Sequence, residues 1–323
     1  MIRKSLLGLC AFAGFLSALP AAAQTWPTKP VRFILPFGPG SGIDITARLL
    51  QDRLSSKWGQ PIVIEHRPGG DALIAIGAFA NAADDHVLLY ASLANFLAHP
   101  YQHEKLPYNL ARDIAPIARV SETVLSVSVP TALGINNLKE LVARAHAEPG
   151  KLSGTSSAGI AAFTWSAFMK NEKIDIPQVP YRDAVMAPND LSEGRLQVIF
   201  GALAAIGPQL KSGKVKVIAV SGNSRSPLAP EAPTAAEAGF PVLNAASSVG
   251  LFGPSSMSPE LRARIGADVV AAASDPAFIE RVTITGQAVA PAGAAAMEKS
   301  LQTQTENVAE IAAQLNMKRL SRE

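Results

Sequence analysis

Val31-Arg32-Phe33-Ile34-Leu35, then Pro36-Phe37-Gly38-Pro39-Gly40-Ser41-Gly42, then a run opening at Asp44 read as strand, glycine-rich turn and amphipathic helix in direct succession. Such a turn aims several unpaired backbone N–H groups at one spot, at the positive end of a helix dipole, and so favours an anionic guest. The same alternation continues outward. Ile45, Leu49, Leu50 and Leu54 share a face of the helix that runs to Lys57, Ile62 to Glu65 forms a second strand, Leu73 to Ala80 a helix, and Val87 to Ala91 a third strand. Strands alternating with helices predict parallel α/β winding.

A second series starts at the apolar run Thr123 to Val129, which ends at Pro130. It predicts helices over Asn137–Ala147, with Asn136 or Asn137 as cap, and over Ile160–Glu172, Ala184–Glu193 and Thr234–Ala238. Strands are expected at Leu152–Thr155, Val198–Phe200, Val215–Ser221 and Val249–Phe252. The C-terminal part is helical over Pro259–Ala273, Asp275–Val282 and Ala292–Gln314, with Pro259 and Pro276 suited to first turns. At about 150 residues per domain, 323 residues suggest two, and without a linker between them a cleft is the default ligand site.

Arg3 and Lys4 precede an apolar stretch from Leu6 to Leu19, followed by Ala21-Ala22-Ala23-Gln24. That pattern reads as a cleaved secretory signal over residues 1–23, too short for a retained membrane anchor. The only cysteine, Cys10, lies inside it, so the mature chain has no thiol for disulfides, nucleophilic catalysis or thiolate metal sites. Formal net charge is +3, of which Arg3 and Lys4 supply two, and no basic run argues for nucleic acid or a membrane surface as partner.

Enzyme and cofactor chemistry finds little support. A dinucleotide fingerprint would need a third glycine where Ile43 stands, and Pro39 removes a backbone donor from the turn. No lysine follows these glycines as a nucleotide-phosphate loop requires. Gly154-Thr155-Ser156-Ser157-Ala158 approaches a nucleophile elbow, but Ala158 replaces its closing glycine. None of the five histidines has metal-ligand spacing. The expectation is therefore no catalysis, no cofactor and no metal. Ser153 to Gly159, ending a strand and opening the helix from Ile160, offers a second anion turn, although ordinary capping by Ser156 or Ser157 accounts for it equally well.

Several spaced motifs occur in order: Trp26-Pro27-Thr28-Lys29-Pro30-Val31-Arg32; the turn from Pro36 with Asp44; Gly59-Gln60-Pro61-Ile62-Val63-Ile64-Glu65 with Arg67-Pro68-Gly69-Gly70; Lys105-Leu106-Pro107-Tyr108; Pro149-Gly150-Lys151-Leu152; Val179-Pro180-Tyr181-Arg182; and Ala232-Pro233-Thr234 with Glu237-Ala238-Gly239. Together they resemble the Bug family, the periplasmic solute-binding receptors of tripartite tricarboxylate transporters, across essentially the whole mature chain.

The resemblance implies an α/β fold of the type II periplasmic binding protein kind, with two α/β lobes around a ligand cleft. One lobe would hold residues 24–124 and 248–323, the other 125–247, with Thr123–Val129 and the region around Ala245–Val249 crossing between them. It implies a periplasmic monomer that captures a small carboxylate, most simply a di- or tricarboxylate, linear or aromatic, and delivers it to a membrane permease. A partner of a membrane sensor kinase would use the same clamshell, and a periplasmic enzyme is a weaker alternative.

Carried onto this sequence, the ligand-binding set is Phe37, Gly38, Gly40, Ser41, Gly42 and Asp44 with Ser92, Ala94 and Asn95 of a strand-end loop on one side, and Ser156, Ser157, Ala158, Gly159, Ile160 and Ala161 on the other, with Tyr181 and Gly201. Asp44 would repel a bare carboxylate, so capping its helix and orienting a water are equally plausible roles for it. Tyr181 could turn its hydroxyl to the cleft or pack at a strand end. Four positions depart from the family pattern: Gly201 in place of a frequent aspartate able to meet a ligand amine, Ser248-Val249 in place of an aromatic pair, and Asp183 in place of glycine. The missing acid at Gly201 argues against an amino-acid ligand, and the lost aromatic pair predicts a pocket of altered size.

Overall fold

The computed structural model describes residues 26–181, 186–222 and 224–321. The expected signal segment and Asp183 lie outside the described residues.

The β-branched and aromatic run Val31–Leu35 forms strand β1, and Ser41 caps helix α1 (Gly42–Trp58) by accepting the Asp44 N–H. The helix thus opens two residues before Asp44, and Gly59 closes it in a left-handed conformation. Next come β2 (Ile62–His66), α2 (Leu73–Ala82), β3 (Val87–Ser92), α3 (Leu93–Gln102), α4 (Leu110–Asp113) and β4 (Ile114–Pro130). The middle of the chain holds α5 (Leu138–Ala147), β5 (Gly154–Ser156), α6 (Ile160–Glu172), α7 (Ala187–Ser192), β6 (Val198–Ala202), α8 (Gly207–Lys211) and β7 (Val215–Val220). The remainder is β8 (Ala246–Pro254), α9 (Pro259–Ala273), α10 (Pro276–Thr283), β9 (Ala288–Gly293) and α11 (Ala294–Gln314).

Hydrogen bonding runs β2-β1-β3-β8-β4-β6-β5, with β7 and β9 also on β4. The long strand β4 serves both lobes: up to Val124 it pairs with β8, and from Leu125 it pairs with β6. Among the named strands, β1 runs parallel to β2 and β3, and β5 to β6, and the remaining pairings between them are antiparallel. The parallel winding expected for the first three strands is present, and the sheet as a whole is mixed because β8 returns from far along the chain to lie between β3 and β4.

In the first lobe, α1, α9 and α10 cover one face through Leu50, Leu54, Ile265, Val269 and Phe278, while α2, α3 and α11 cover the other through Ile76, Phe79, Phe96, Leu97 and Val308. In the second, Trp165 and Phe168 of α6 pack with Leu138 and Leu141 of α5 on Val127 and Phe200, and Leu191 and Leu203 lie on the opposite face against Ile199 and Val220. Alternate strand residues facing opposite ways build both cores. Helix α6 also turns Ile160 and Phe163 toward Phe96 and Leu97, with the Phe163 ring 5.9 Å edge-on from Tyr101. One helix thereby ties the two lobes.

Four local expectations change. Ser92 to Asn95 is not a loop, since Ser92 caps α3 and the rest is its first turn. The segment from Thr234 is a single turn, with Thr234 and Glu237 bonded reciprocally and Gly239 ending it, because five residues cannot propagate a helix. Strand β4 starts at Ile114 despite Pro116, Arg119 and Glu122, and β9 precedes α11 where a helix from Ala292 was expected. Within the described part of the expected Ala184–Glu193 helix, α7 covers Ala187–Ser192. Among the described residues no helix is long and apolar enough to cross a membrane.

Candidate functional site

Three helices start at one cavity of about 530 Å³ between the lobes. Ser41, Gly42 and Ile43 bring the start of α1, Ser92, Ala94 and Asn95 that of α3, and Ser156, Ser157, Ala158, Ile160 and Ala161 that of α6. Each end carries first-turn N–H groups without intrahelical acceptors and the equivalent of about half a positive charge. Among the described lining residues none is a lysine, arginine or histidine, and Asp71 is the one formal charge. Among the described lining residues, an anion would meet backbone N–H groups and no cationic side chain.

Phe37, Tyr181 and Gly201 line the same cavity. Gly38, Gly40, Asp44 and Gly159 stand back from it, each with another engagement. Gly40 gives its N–H to Asp44 Oδ2 at 2.9 Å, and Ser41 N donates to the Gly38 carbonyl at 3.3 Å. Asp44, 3% exposed, also takes Arg48 Nε at 3.0 Å and His66 Nε2 at 2.7 Å. Burial pushes its carboxyl up, but these three partners outweigh it and hold it below the usual range. Asp44 is therefore an internal clamp across the turn. Gly159 has φ +78°, and a Cβ there would lie 2.7 Å from the Ala94 carbonyl oxygen of the opposite lobe, so its bare backbone permits the close approach of α6 to α3.

Tyr181 gives only its ring to the cavity, because its hydroxyl donates to Asp190 Oδ2 at 2.6 Å while Arg195 holds the same carboxylate. Burial and that neighbouring carboxylate push the phenol up to about 12. At Gly201 a Cβ would fall 2.8 Å from Ser157 Oγ, so a side chain there would make that serine hydroxyl turn away.

Several lining residues escaped the sequence reading. Ser247 of β8 accepts the Ala94 N–H at 2.8 Å and bonds Ser92 Oγ at 2.7 Å, holding the first turn of α3. Gln287 donates to the Gly42 carbonyl at 2.8 Å and accepts from Ser121. Thr123, Val124 and Leu125 bring the middle of β4 to the floor, and Asp71 and Gln102 complete another wall. No local pattern marks Ser247 or Gln287, which reach α3 and α1 only through sheet topology. Among the described residues, no cluster of three or more metal-ligating side chains occurs.

The model of the tripartite tricarboxylate transporter family receptor matches residues 46–317. A UPF0065 protein of Bordetella bronchiseptica is 30% identical over 267 residues, covering 82% of this chain and 79% of that one. A solved periplasmic transporter superposes with a TM-score of 0.86 at 29% identity, covering 91% of this chain and 99% of its own. MatC of Rhodopseudomonas palustris, solved with bound malate, gives a TM-score of 0.76 at 26% identity, with 89% and 98% covered. The two-lobed α/β fold expected from the sequence is the fold these structures share.

Proposed function

Since the chain belongs to the receptor family of tripartite tricarboxylate transporters, we propose that it captures a small carboxylate in the periplasm and hands it, unaltered, to a membrane permease. The observation that carries this reading is the meeting of three helix N-termini on a cavity whose described lining holds no cationic side chain. Charge-assisted hydrogen bonds from backbone N–H groups contribute about 1.5 to 3 kcal/mol each, so a few of them reach the roughly −8 kcal/mol of a micromolar ligand. Malate bound to MatC supports the carboxylate chemistry. The ligand is held by the first turns of α3 and α6 with Ser41 and Gly42, between a lobe of residues 24–124 and 248–323 and a lobe of residues 125–247. The chain acts as a monomer after removal of residues 1–23. Closure reports occupancy because a ligand touching both lobes favours the closed state.

A thermal-shift panel of linear, branched and aromatic carboxylates tests this. A ligand that binds the native state raises the midpoint by mass action. At least one acid is expected to do so at millimolar concentration, and its recovery intact after incubation, by mass spectrometry, separates capture from turnover. No shift with any acid contradicts the reading.

A further inference from the structure

Between β2 and α2 the chain bends against its own preference. Gly69, Gly70, Asp71 and Ala72 have φ of +113°, +57°, +52° and +78°, four successive residues in a region that glycine enters freely and a Cβ disfavours. Two of the four carry that Cβ. The bonds inside this arch, from the Ala72 N–H to the Gly69 carbonyl and from the Leu73 N–H to the Gly70 carbonyl, close a single turn. Pro68, Gly69, Asp71 and Ala72 line the cavity, so the shape of the arch is the shape of one wall. A conformation of this kind persists only where its surroundings hold it.

The holder is His99, 0% exposed on α3. Its Nε2 lies 2.7 Å from the Asp71 carbonyl oxygen, and since a carbonyl only accepts, that nitrogen carries the hydrogen. Nδ1 then accepts the Tyr108 hydroxyl at 2.7 Å, which fixes the tautomer and the orientation of the ring. Burial lowers the His99 pKa to about 4, in keeping with a neutral ring that donates once and accepts once. Asn95 Nδ2 adds a longer bond to the same carbonyl at 3.4 Å. The Asp71 side chain is not held in this way: it is 49% exposed, and His103 Nε2, without a hydrogen-bond partner among the described residues, stops 4.0 Å from its carboxylate. The grip is on the backbone. Pro107 packs on α2 at Gly77, where a Cβ would fall 3.2 Å from its ring, and so seats Tyr108 beside the arch. Two sequence motifs, one ending at Gly70 and one at Tyr108, thereby meet at a single histidine.

We infer that His99 is a positioning residue of the carboxylate site: standing behind the wall, it holds the strained arch in place by bonding the Asp71 carbonyl. Its effect on binding rests on the carboxylate reading above, and its effect on the arch does not. Without this donor the carbonyl loses its shorter bond while the left-handed strain remains, and both favour departure of the arch from the wall. The first turn of α3 keeps its own support from Ser92 and Ser247.

Hydrogen exchange read by mass spectrometry on the ligand-free mature chain tests the grip. His99→Leu should lower the protection of residues 69–73 by about tenfold, the scale of one lost hydrogen bond, with α5 and β6 of the other lobe unchanged. His99→Gln, whose amide N–H replaces the donor, should stay within about threefold of wild type. Asp71→Gly added to His99→Leu should restore about threefold, because glycine accepts the left-handed backbone; a loss of packing would not be repaired there. Should His99→Leu fail to fold, Tyr108→Phe removes only the hydroxyl that orients the ring and should lower protection by about threefold. In calorimetry with succinate, L-malate, citrate and 3-phenylpropionate, any acid that wild type binds should lose about tenfold in affinity with His99→Leu and at most about threefold with His99→Gln. An arch as well protected in His99→Leu or Tyr108→Phe as in wild type, or one that neither glutamine nor glycine repairs, overturns the inference. So does an opened arch with affinity unchanged, and the carboxylate reading then stands. Silence of wild type toward the whole thermal-shift panel contradicts that reading and the binding half of the inference, while exchange still decides the grip on the arch.

Discussion

The turn before α1 and the turn before α6 look alike in sequence, both glycine-containing and both opening a helix, yet they use their polar groups in opposite ways. At α1 the donors and acceptors are turned on one another: Gly40 bonds Asp44, Ser41 caps Asp44, and Asp44 also holds Arg48 and His66. At α6 no side chain caps the helix, whose N-cap is Gly159, and Ile160 and Ala161 bring its first turn to the cavity. A glycine-rich turn shows where the chain bends. Which N–H groups remain for a ligand depends on what else sits within reach of them.

The contrast can be broken most severely at Gly159. Gly159→Ala adds a Cβ 2.7 Å from the Ala94 carbonyl in a left-handed backbone, and should weaken carboxylate binding by about a hundredfold, equivalent to roughly 2.7 kcal/mol, in calorimetry. An affinity within threefold of wild type would mean that α6 and α3 need not approach this closely. Ala161→Pro deletes one first-turn N–H that no intrahelical bond uses, and should cost about tenfold in affinity with far-UV circular dichroism unchanged.

Asp44→Asn acts on the other turn and should chiefly affect stability. Its loss of ionic partners is expected to cost about 1 to 3 kcal/mol, read as a lower thermal midpoint at pH 7, with affinity changed less than by Ala161→Pro. The Asp44 carboxyl sits below its unfolded value, so its contribution is present above about pH 4 and disappears as pH falls through the lower folded value. The midpoints of variant and wild type should therefore converge on acidification to about pH 2. A gap that stays constant from pH 7 to pH 2 would show that the carboxylate charge is not what clamps the turn.

Much of this was legible because it is local. The amphipathic run after the glycine turn, and Pro259 or Pro276 in a first turn, declare helices from neighbours alone, although the cap of the first is Ser41 and not Asp44, and the strand-turn-helix at Val31 announces α/β architecture. Pairing partners were not legible. Strand β4 carries Pro116, Arg119 and Glu122 because one side of it meets β8 and the other β9 with irregular register, so neither a period of two nor a continuous apolar run is kept. The α3 start hid behind Pro100, a residue that argues against a helix although α3 accommodates it. Of the residues that line the cavity, Ser92, Asn95 and the α6 turn could be named, whereas Ser247, Gln287 and Asp71 come together only when distant segments fold.

Backbone amide NMR during titration with the acid that shifts the midpoint furthest tests the central claim most directly. The largest shift changes should fall on the N–H groups of Asn95, Ile160 and Ala161, with Gly40, already bonded to Asp44, nearly unmoved. Dominant changes at Gly40 with a silent α6 turn would contradict the account.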